Sequence, residues 1–184
     1  LKPRIVNIEN VSLNNTRVTL EPLERGFGHT LGSALRRIML SSIVGSSITE
    51  VSIDGVKHEY STIEGIQEDV IDILLNLKDI SIVMHNQDQG TITLAKEGAG
   101  AVTASDFQLS EDIEIANPDH VVCNLNDSGS IRIEAKVTRG RGYVPVDSQG
   151  SANAEEEGRS IGSLRLDASY SPLKRVSYSC LLYT

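Results

Sequence analysis

Most of this chain consists of short runs in which apolar and polar residues alternate, separated by turn-forming residues. A period of two is typical of half-buried β-strands, because successive side chains point to opposite faces of a sheet. Asp54-Gly55 lies between two such runs and predicts a β-hairpin, because its turn requires residues that tolerate positive φ. The runs predicted to form strands are 16–21, 49–53, 56–60, 80–85, 91–95, 120–125, 130–138, 163–168 and 173–178.

Two segments have helical spacing instead. The first runs from about Thr30 to Ser42, and its predicted core face consists of Leu31, Ala34, Leu35, Ile38 and Ser42. The second runs from about Thr62 to Lys78 and opens with a capping-box pattern at residues 61–64. Its core face consists of Ile63, Ile66, Val70, Ile73, Leu74 and Leu77. Two helices among many short strands predict an α+β fold.

The net charge limits the kinds of binding partner that we expect, and the cysteine content indicates the cellular compartment. The 184 residues carry a formal net charge of -8, whereas proteins that mainly hold a nucleic-acid backbone have a basic excess. No apolar run is long enough for a transmembrane helix. The two cysteines, Cys123 and Cys180, form no C-x-x-C motif and indicate a reducing, cytosolic setting. The acidic stretch 148–159 is predicted to be a mobile loop.

No recognisable catalytic or metal-binding motif occurs in the sequence. The four histidines, His29, His58, His85 and His120, are far apart and form no H-x-x-x-H pair. Residues 26–32 superficially resemble a dinucleotide-binding fingerprint, but the third glycine is one position too late. A turn leading into a helix is therefore favoured there. The alternative is a free-standing small-molecule-binding protein or enzyme that binds phosphate at this turn.

Both predicted helices carry large or cationic residues away from their core faces. In the first helix these are Ser33, Arg36, Arg37 and Leu40, which share one face. In the second they are Gln67, Ile71, Leu75 and Lys78. Arginine is enriched at protein interfaces, yet single exposed leucines are also common, so contact surfaces and ordinary solvated faces both remain open. The second helix is either sandwiched within its own domain or partly in contact with another chain.

Five blocks, in order, resemble the N-terminal domain of the bacterial RNA polymerase alpha subunit family. The blocks are residues 20–37, 51–62, 67–78, 140–145 and 167–172. The first block begins with Leu20-Glu21-Pro22-Leu23-Glu24-Arg25-Gly26-Phe27-Gly28-His29-Thr30-Leu31-Gly32. The resemblance covers essentially residues 1–178. It implies a discontinuous dimerisation subdomain of sheet and helix, formed by 1–44 and 165–184, with a mostly β subdomain, 45–164, inserted between them.

The resemblance also implies a function and its contact residues. The family's alpha subunits form a homodimer on which the beta and beta-prime subunits of DNA-directed RNA polymerase assemble, and catalysis belongs to those large subunits. By resemblance, Phe27, Leu31, Leu35 and Ile38 form the dimer core, with Arg37 also at the dimer interface. Arg37 and Leu40 match beta-contacting positions, and Lys78 and Leu173 match beta-prime-contacting positions. No cofactor, metal, membrane or direct nucleic-acid contact is expected, and the location is cytoplasmic.

Residues 179–184 depart from the family's pattern. The family continues at this point into a further strand and a second dimerisation helix, whereas Ser179-Cys180-Leu181-Leu182-Tyr183-Thr184 contains no charged residue. We therefore expect a C-terminally truncated chain. A truncated chain that competes with a full-length subunit is an alternative to the assembly role.

Overall fold

The computed structural model describes residues 4–149 and 162–182, which divide between two compact units, Leu1–Leu40 with Leu173–Thr184 and Ser41–Pro172. The α-helices are α1 (Phe27–Ser41), α2 (Val70–Lys78) and α3 (Val146–Gln149), and a 3₁₀ turn covers Ala104–Asp106. The strands are β1 (Ile5–Ser12), β2 (Asn15–Glu21), β3 (Val44–Ile53), β4 (Ile82–Met84), β5 (Gln89–Glu97), β6 (Gly100–Thr103), β7 (Ile113–Ile115), β8 (Val121–Leu125), β9 (Ser130–Arg141), β10 (Tyr143–Val144), β11 (Ser163–Arg165) and β12 (Ala168–Ser169).

The first unit contains an antiparallel ribbon, α1 and a C-terminal segment, residues 173–182. In the ribbon, β1 pairs with β2 so that Ile8 lies opposite Val18. The strand predicted at 16–21 is therefore confirmed as part of β2. The strand predicted at 173–178 is wrong, because this stretch pairs with no neighbouring strand among the described residues. Instead, the carbonyl of Val176 accepts a hydrogen bond from the Arg36 side chain.

The second unit is built around an antiparallel six-stranded sheet. Five strands follow the order β5-β9-β3-β4-β7, and β11 pairs with β3 outside this path. Smaller sheets pair β6 with β8 and β10 with β12. Five of the predicted strand runs, 80–85, 91–95, 120–125, 130–138 and 163–168, overlap β4, β5, β8, β9 and β11, respectively, and are confirmed.

The core of the second unit lies between this sheet and α2. Alternation along β9 buries Ile131, Ile133, Ala135 and Val137, and α2 contributes Val70, Ile73, Leu74 and Leu77. The helix is also tied to β8 by polar side chains. The Asn76 amide donates to the Val122 carbonyl at 2.9 Å, and the His120 ring lies 2.9 Å from the Asn76 carbonyl oxygen.

The second helix begins later than its sequence pattern predicts. The predicted start at about Thr62 is wrong, since α2 runs only over Val70–Lys78. Gly65 adopts a φ of 83° and packs against Gly129, where a Cβ would lie 2.6 Å from the Gly129 Cα. Both Glu68 carboxylate oxygens accept hydrogen bonds from Asn124 at 2.7 Å. These contacts to the β8–β9 region hold residues 65–68 out of helical geometry.

The hairpin predicted at Asp54-Gly55 is also wrong. The turn itself forms, with Gly55 at a φ of 81° and the Val56 N–H donating to the Ile53 carbonyl. Residues 56–60, however, form no strand. β9 pairs with one edge of β3, and β11 and β4 pair with different parts of its other edge. The chain after the turn therefore has no free edge of β3 with which to pair.

These elements confirm the predicted α+β class, with mostly antiparallel strands and few helices. The expected subdomain boundaries at 44/45 and 164/165 lie four and eight residues from the divisions between the compact units at 40/41 and 172/173, and the subdomain assignment itself stays a prediction. Leu166, Ala168 and Tyr170 are buried in the second unit. The predicted acidic loop, 148–159, starts at the end of α3 and then lies outside the described residues. Within the described ranges, no helix is long and apolar enough to cross a membrane.

Candidate protein-contact surfaces

α1 presents an apolar stripe, consisting of Phe27, Leu31, Leu35 and Ile38. Their spacing places them on one helix face. Phe27 is 52% exposed, Leu35 38% and Ile38 53%, while Leu31 is half-buried. The helix has no buried residue among those described. The core role that periodicity predicts for this face, including Ala34, is therefore wrong within the chain itself.

The C-terminal segment covers the neighbouring face of α1, which carries Gly28 and Gly32. A Cβ at position 32 would lie 2.4 Å from the Tyr178 ring, and one at position 28 would lie 3.0 Å from the Cys180 Sγ. The ring of His29 also meets Tyr178 edge-on, with centroids 6.2 Å apart. The glycines thus allow α1 and the C-terminal segment to pack closely. This packing role favours the turn leading into a helix over a phosphate-binding site at residues 26–32.

Arg36 and Leu40 lie further along α1, beside the same C-terminal segment. The Arg36 Nε donates to the Val176 carbonyl at 3.0 Å. Both residues line a cleft of about 400 Å³, the Arg36 cleft, together with Lys174, Arg175, Val176, Ser177 and Tyr178. Arg37, the next residue of α1, is exposed. Helical spacing correctly placed Arg36 and Leu40 together but gave no sign of the distant residues that complete the cleft.

The outer face of α2 carries two exposed aliphatic side chains. Ile71 is 39% exposed and Leu75 54%, and the two lie one turn apart. Gln67 is also exposed, but it precedes the helix and its backbone N–H donates to the Asn124 carbonyl. The described residues therefore do not sandwich α2, and its outer face remains a candidate contact surface.

Lys78, at the end of α2, lies in a polar cluster with Tyr143, Val146 and Asp167, here called the Lys78 cluster. Its Nζ is 3.6 Å from one Asp167 carboxylate oxygen, and the other oxygen accepts the Val146 N–H at 2.9 Å. The Val146 N–H, the Tyr143 hydroxyl and Lys78 together hold the pKa of Asp167 below its ordinary value. The hydrogen bond to Asp167 raises the pKa of Tyr143. The lowered pKa favours the ionised carboxylate, which forms an ion pair with the lysine beside it.

The roles of Asp167 and Tyr143 were missed from the sequence, although both lie in blocks that carry the family resemblance. Leu173, the other residue matched to beta-prime contact, is half-buried at the start of the C-terminal segment. It belongs to the first compact unit, whereas Lys78 belongs to the second.

The titratable groups of the described residues offer little for catalysis. No three His, Cys, Asp or Glu residues in the ranges 4–149 and 162–182 are grouped so that they could hold a metal ion. Burial, with the nearby Glu68 charge, raises the pKa of the Cys123 thiol to about 12. A thiol that stays protonated is a poor nucleophile. The exposed apolar and cationic features above are instead candidates for contact with other proteins.

The sequence model of the RNA polymerase Rpb3/RpoA insert domain matches residues 51–171, well over half of the chain. The chain therefore belongs to this family. It is an RNA polymerase subunit of the alpha/Rpb3 type, and such subunits are generally non-catalytic. The matched range contains α2 and all but the first residues of the six-stranded sheet, together with the Lys78 cluster.

Proposed function

We propose that this chain is a non-catalytic assembly subunit of a bacterial DNA-directed RNA polymerase. In this proposal it forms a homodimer that serves in transcription as the platform for the beta and beta-prime subunits. Nucleotidyl transfer then takes place in those large subunits, this region makes no direct nucleic-acid contact, and the complex is cytoplasmic. Membership of the family supports the polymerase role, and the exposed apolar stripe of α1 supports the assembly role.

The apolar stripe of α1 is the single observation on which the proposed homodimer rests. Phe27, Leu35 and Ile38 are exposed on this helix. A second surface that covers them stabilises the complex by about 25 cal/mol per Å² of apolar area removed from water. Exposed apolar patches of this kind commonly mark interaction sites. An identical stripe on a second copy is self-complementary, as a two-fold interface requires. The dimer core therefore comprises Phe27, Leu31, Leu35 and Ile38, with Arg37 beside it.

Two further surfaces receive the large subunits. Arg37 and Leu40 on α1 contact the beta subunit, and Arg37 suits this task because a guanidinium pairs with carboxylates in a bidentate manner. Lys78 contacts the beta-prime subunit from the end of α2, next to the exposed Leu75, and Leu173 contributes from the first unit.

The dimer is tested by light scattering on the purified chain. The unaltered chain, of 19.9 kDa, should show twice this mass, and Leu35→Asp or Ile38→Asp should give monomers. Leu109→Asp is the matched control, since Leu109 is 40% exposed but lies in the second unit. A monomeric unaltered chain, or equal loss of the dimer in the Leu109 variant, contradicts the assignment.

The subunit contacts are tested by capture of separately purified beta and beta-prime subunits. Arg37→Ala should impair capture of beta or dimerisation while circular dichroism shows an intact fold. Lys78→Ala should impair capture of beta-prime only. Arg132→Ala is the control, because Arg132 is an exposed residue of β9 that none of the proposed contacts includes. Unchanged capture by the first two variants refutes their proposed contacts.

A further inference from the structure

The Asp54-Gly55 turn, which follows β3, has a chemical reactivity that the proposed assembly role does not use. It is the only Asp-Gly pair in the chain, and the sequence contains no Asn-Gly pair. In such a pair the backbone nitrogen of the glycine can attack the side-chain carboxyl carbon of the residue before it, because glycine has no Cβ to hinder the approach. The folded turn must leave both groups free for this reaction to occur.

The turn leaves the glycine unhindered. Gly55 has a φ of 81°, and apart from its chain neighbours no described heavy atom lies within 4 Å of the position that a Cβ would occupy. The Val56 N–H donates to the Ile53 carbonyl at 3.1 Å and closes a turn in which Asp54 and Gly55 are the central residues. The Gly55 N–H takes no part in this bond and has no acceptor among the described residues. Its nitrogen is therefore available as a nucleophile.

The Asp54 carboxylate is held only weakly. Its ion pair with Arg132 spans 3.8 Å between Oδ2 and Nε, and the two side chains are 71% and 72% exposed, respectively. An ion pair this exposed does little to fix the geometry of its partners. The carboxyl group can therefore turn towards the nitrogen of the next residue.

We propose that Asp54 is a modification site, at which aspartate isomerises spontaneously to isoaspartate. The Gly55 nitrogen forms a bond to Cγ of the protonated Asp54 carboxyl. The bond from Cγ to the carboxyl hydroxyl breaks, and the hydroxyl leaves with the amide proton as water. A cyclic succinimide results.

Hydrolysis of the succinimide completes the isomerisation. Water adds to one of the two imide carbonyls and cleaves its bond to the Gly55 nitrogen. Cleavage at Cγ restores aspartate, whereas cleavage at the main-chain carbonyl leaves a peptide that runs through Cβ and Cγ of residue 54 and frees its α-carboxylate. The water released in the first step balances the water consumed in the second, so the reaction needs no other reagent.

The lengthened main chain disturbs the contacts on both sides of the turn. The Asp54 N–H donates to the Arg132 carbonyl at 3.1 Å, and Val56 is buried, with 5% of its surface exposed. Isomerisation inserts a methylene group into the backbone between these two attachments. Because the core is closely packed, a displaced Val56 loses contacts there, and the isomerised chain is less stable.

The inference is tested on the purified full chain after prolonged incubation at physiological temperature and pH. Isoaspartate is quantified with an isoaspartyl methyltransferase and a radiolabelled sulfonium methyl donor, and it is located by electron-transfer dissociation of the peptide that contains Asp54. The label should accumulate at this residue. Asp54→Glu should lose it, because glutamate forms the larger cyclic imide far more slowly. Asp54→Asn should accumulate it faster, because the side-chain amide loses ammonia more readily than the carboxylate loses water.

Asp127→Glu is the matched control, because Asp127 also lies in an exposed turn but is followed by Ser128, whose side chain hinders the attack. This variant should retain the full label. Absence of label at Asp54 in the unaltered chain overturns the inference, as does an equal label at Asp127. Label that forms only in urea-unfolded chain overturns it as well, because the folded turn then prevents the reaction.

Urea unfolding of fresh and incubated chains tests the consequence for stability. The incubated unaltered chain should contain a fraction that unfolds at lower urea concentration, and Asp54→Glu should show no such change with time. Equal stability of the two unaltered samples, with isoaspartate present, overturns the proposed disturbance of Val56. None of these measurements involves another subunit, so their outcome is independent of the proposed assembly function.

Discussion

Tyr170 lies directly against Gly140 of β9. A Cβ at position 140 would come within 2.6 to 2.8 Å of three ring carbons of Tyr170, closer than real Cβ contacts allow. The Tyr170 hydroxyl is 2.8 Å from the Thr138 hydroxyl on the same strand. Gly45, the β3 partner of Gly140, lies under the Tyr170 carbonyl. The two glycines thus form the site in which Tyr170 attaches residues 168–170 to the sheet.

Gly140→Ala should destabilise the chain by about 1–3 kcal/mol, because the added methyl group overlaps the Tyr170 ring. In a Tyr170→Ala background the same substitution should cost much less, since the overlapping ring is gone. Urea unfolding of the four chains of this double-mutant cycle measures the coupling. If the destabilisations caused by the two substitutions are additive, Gly140 is not required for the packing of the Tyr170 ring.

Gly32→Ala should displace the C-terminal segment from α1, because its methyl group would lie 2.4 Å from the Tyr178 ring. We expect the nuclear Overhauser contacts between the rings of His29 and Tyr178 to disappear. Ser33→Ala, on an exposed neighbouring position of the same helix, is the control and should retain them. Retention of these contacts in the Gly32 variant would refute the close packing.

Asp167→Ala should lower the pKa of the Tyr143 hydroxyl towards its ordinary value of 10.0, because the hydrogen bond to the carboxylate that raises it is removed. A titration followed by NMR of ¹³Cζ-labelled tyrosine measures this value directly. Asp112→Ala is the control, because Asp112 instead accepts hydrogen bonds from Asn86 and Gln87. An unchanged Tyr143 titration in the Asp167 variant counts against the Lys78 cluster.

Asp106→Asn should destabilise the chain by about 1 kcal/mol at neutral pH, because Asp106 accepts hydrogen bonds from Lys96 at 2.7 Å and the Thr103 N–H at 2.8 Å. Burial raises the pKa of Asp106, but these bonds prevail and hold it below its ordinary value of 3.8.

The sign of the pH dependence follows from that lowered pKa. The contribution of Asp106 is fully present above pH 3.8 and is lost as the pH falls through the lower folded-state value. The stability difference between the unaltered chain and Asp106→Asn should therefore shrink below about pH 3.8 in urea unfolding. Asp127→Asn, at an exposed turn, should show no such trend.

Local patterns predicted the sheet well and the segment boundaries poorly. Period-two alternation identified β5 and β9 because each buries one face against the core. The capping-box pattern at residues 61–64 failed because Gly65 meets Gly129, and because Glu68 is engaged by Asn124, which lies far away in the sequence. The strand predicted at 173–178 failed because β-propensity gives no information about whether a free strand edge lies alongside.

The candidate contact surfaces were also predicted only in part from the sequence. Helical spacing placed Phe27, Leu31, Leu35 and Ile38 on one face, and the family resemblance predicted that they form the dimer core. The exposure of that face, and the presence of Arg175 and Tyr178 beside Arg36, could not be predicted, since no local pattern specifies which distant segment covers a helix.

The sequence by itself determined the α+β class, the buried faces of α2 and β9, and the polymerase-subunit family. These depend on the periodicity and identity of residues near one another in the chain. Only the tertiary structure decided that residues 173–182 pack on Gly28 and Gly32, and that Asp167 holds Lys78. These contacts join residues far apart in sequence, and their geometry follows from how whole elements pack rather than from the preferences of any one segment.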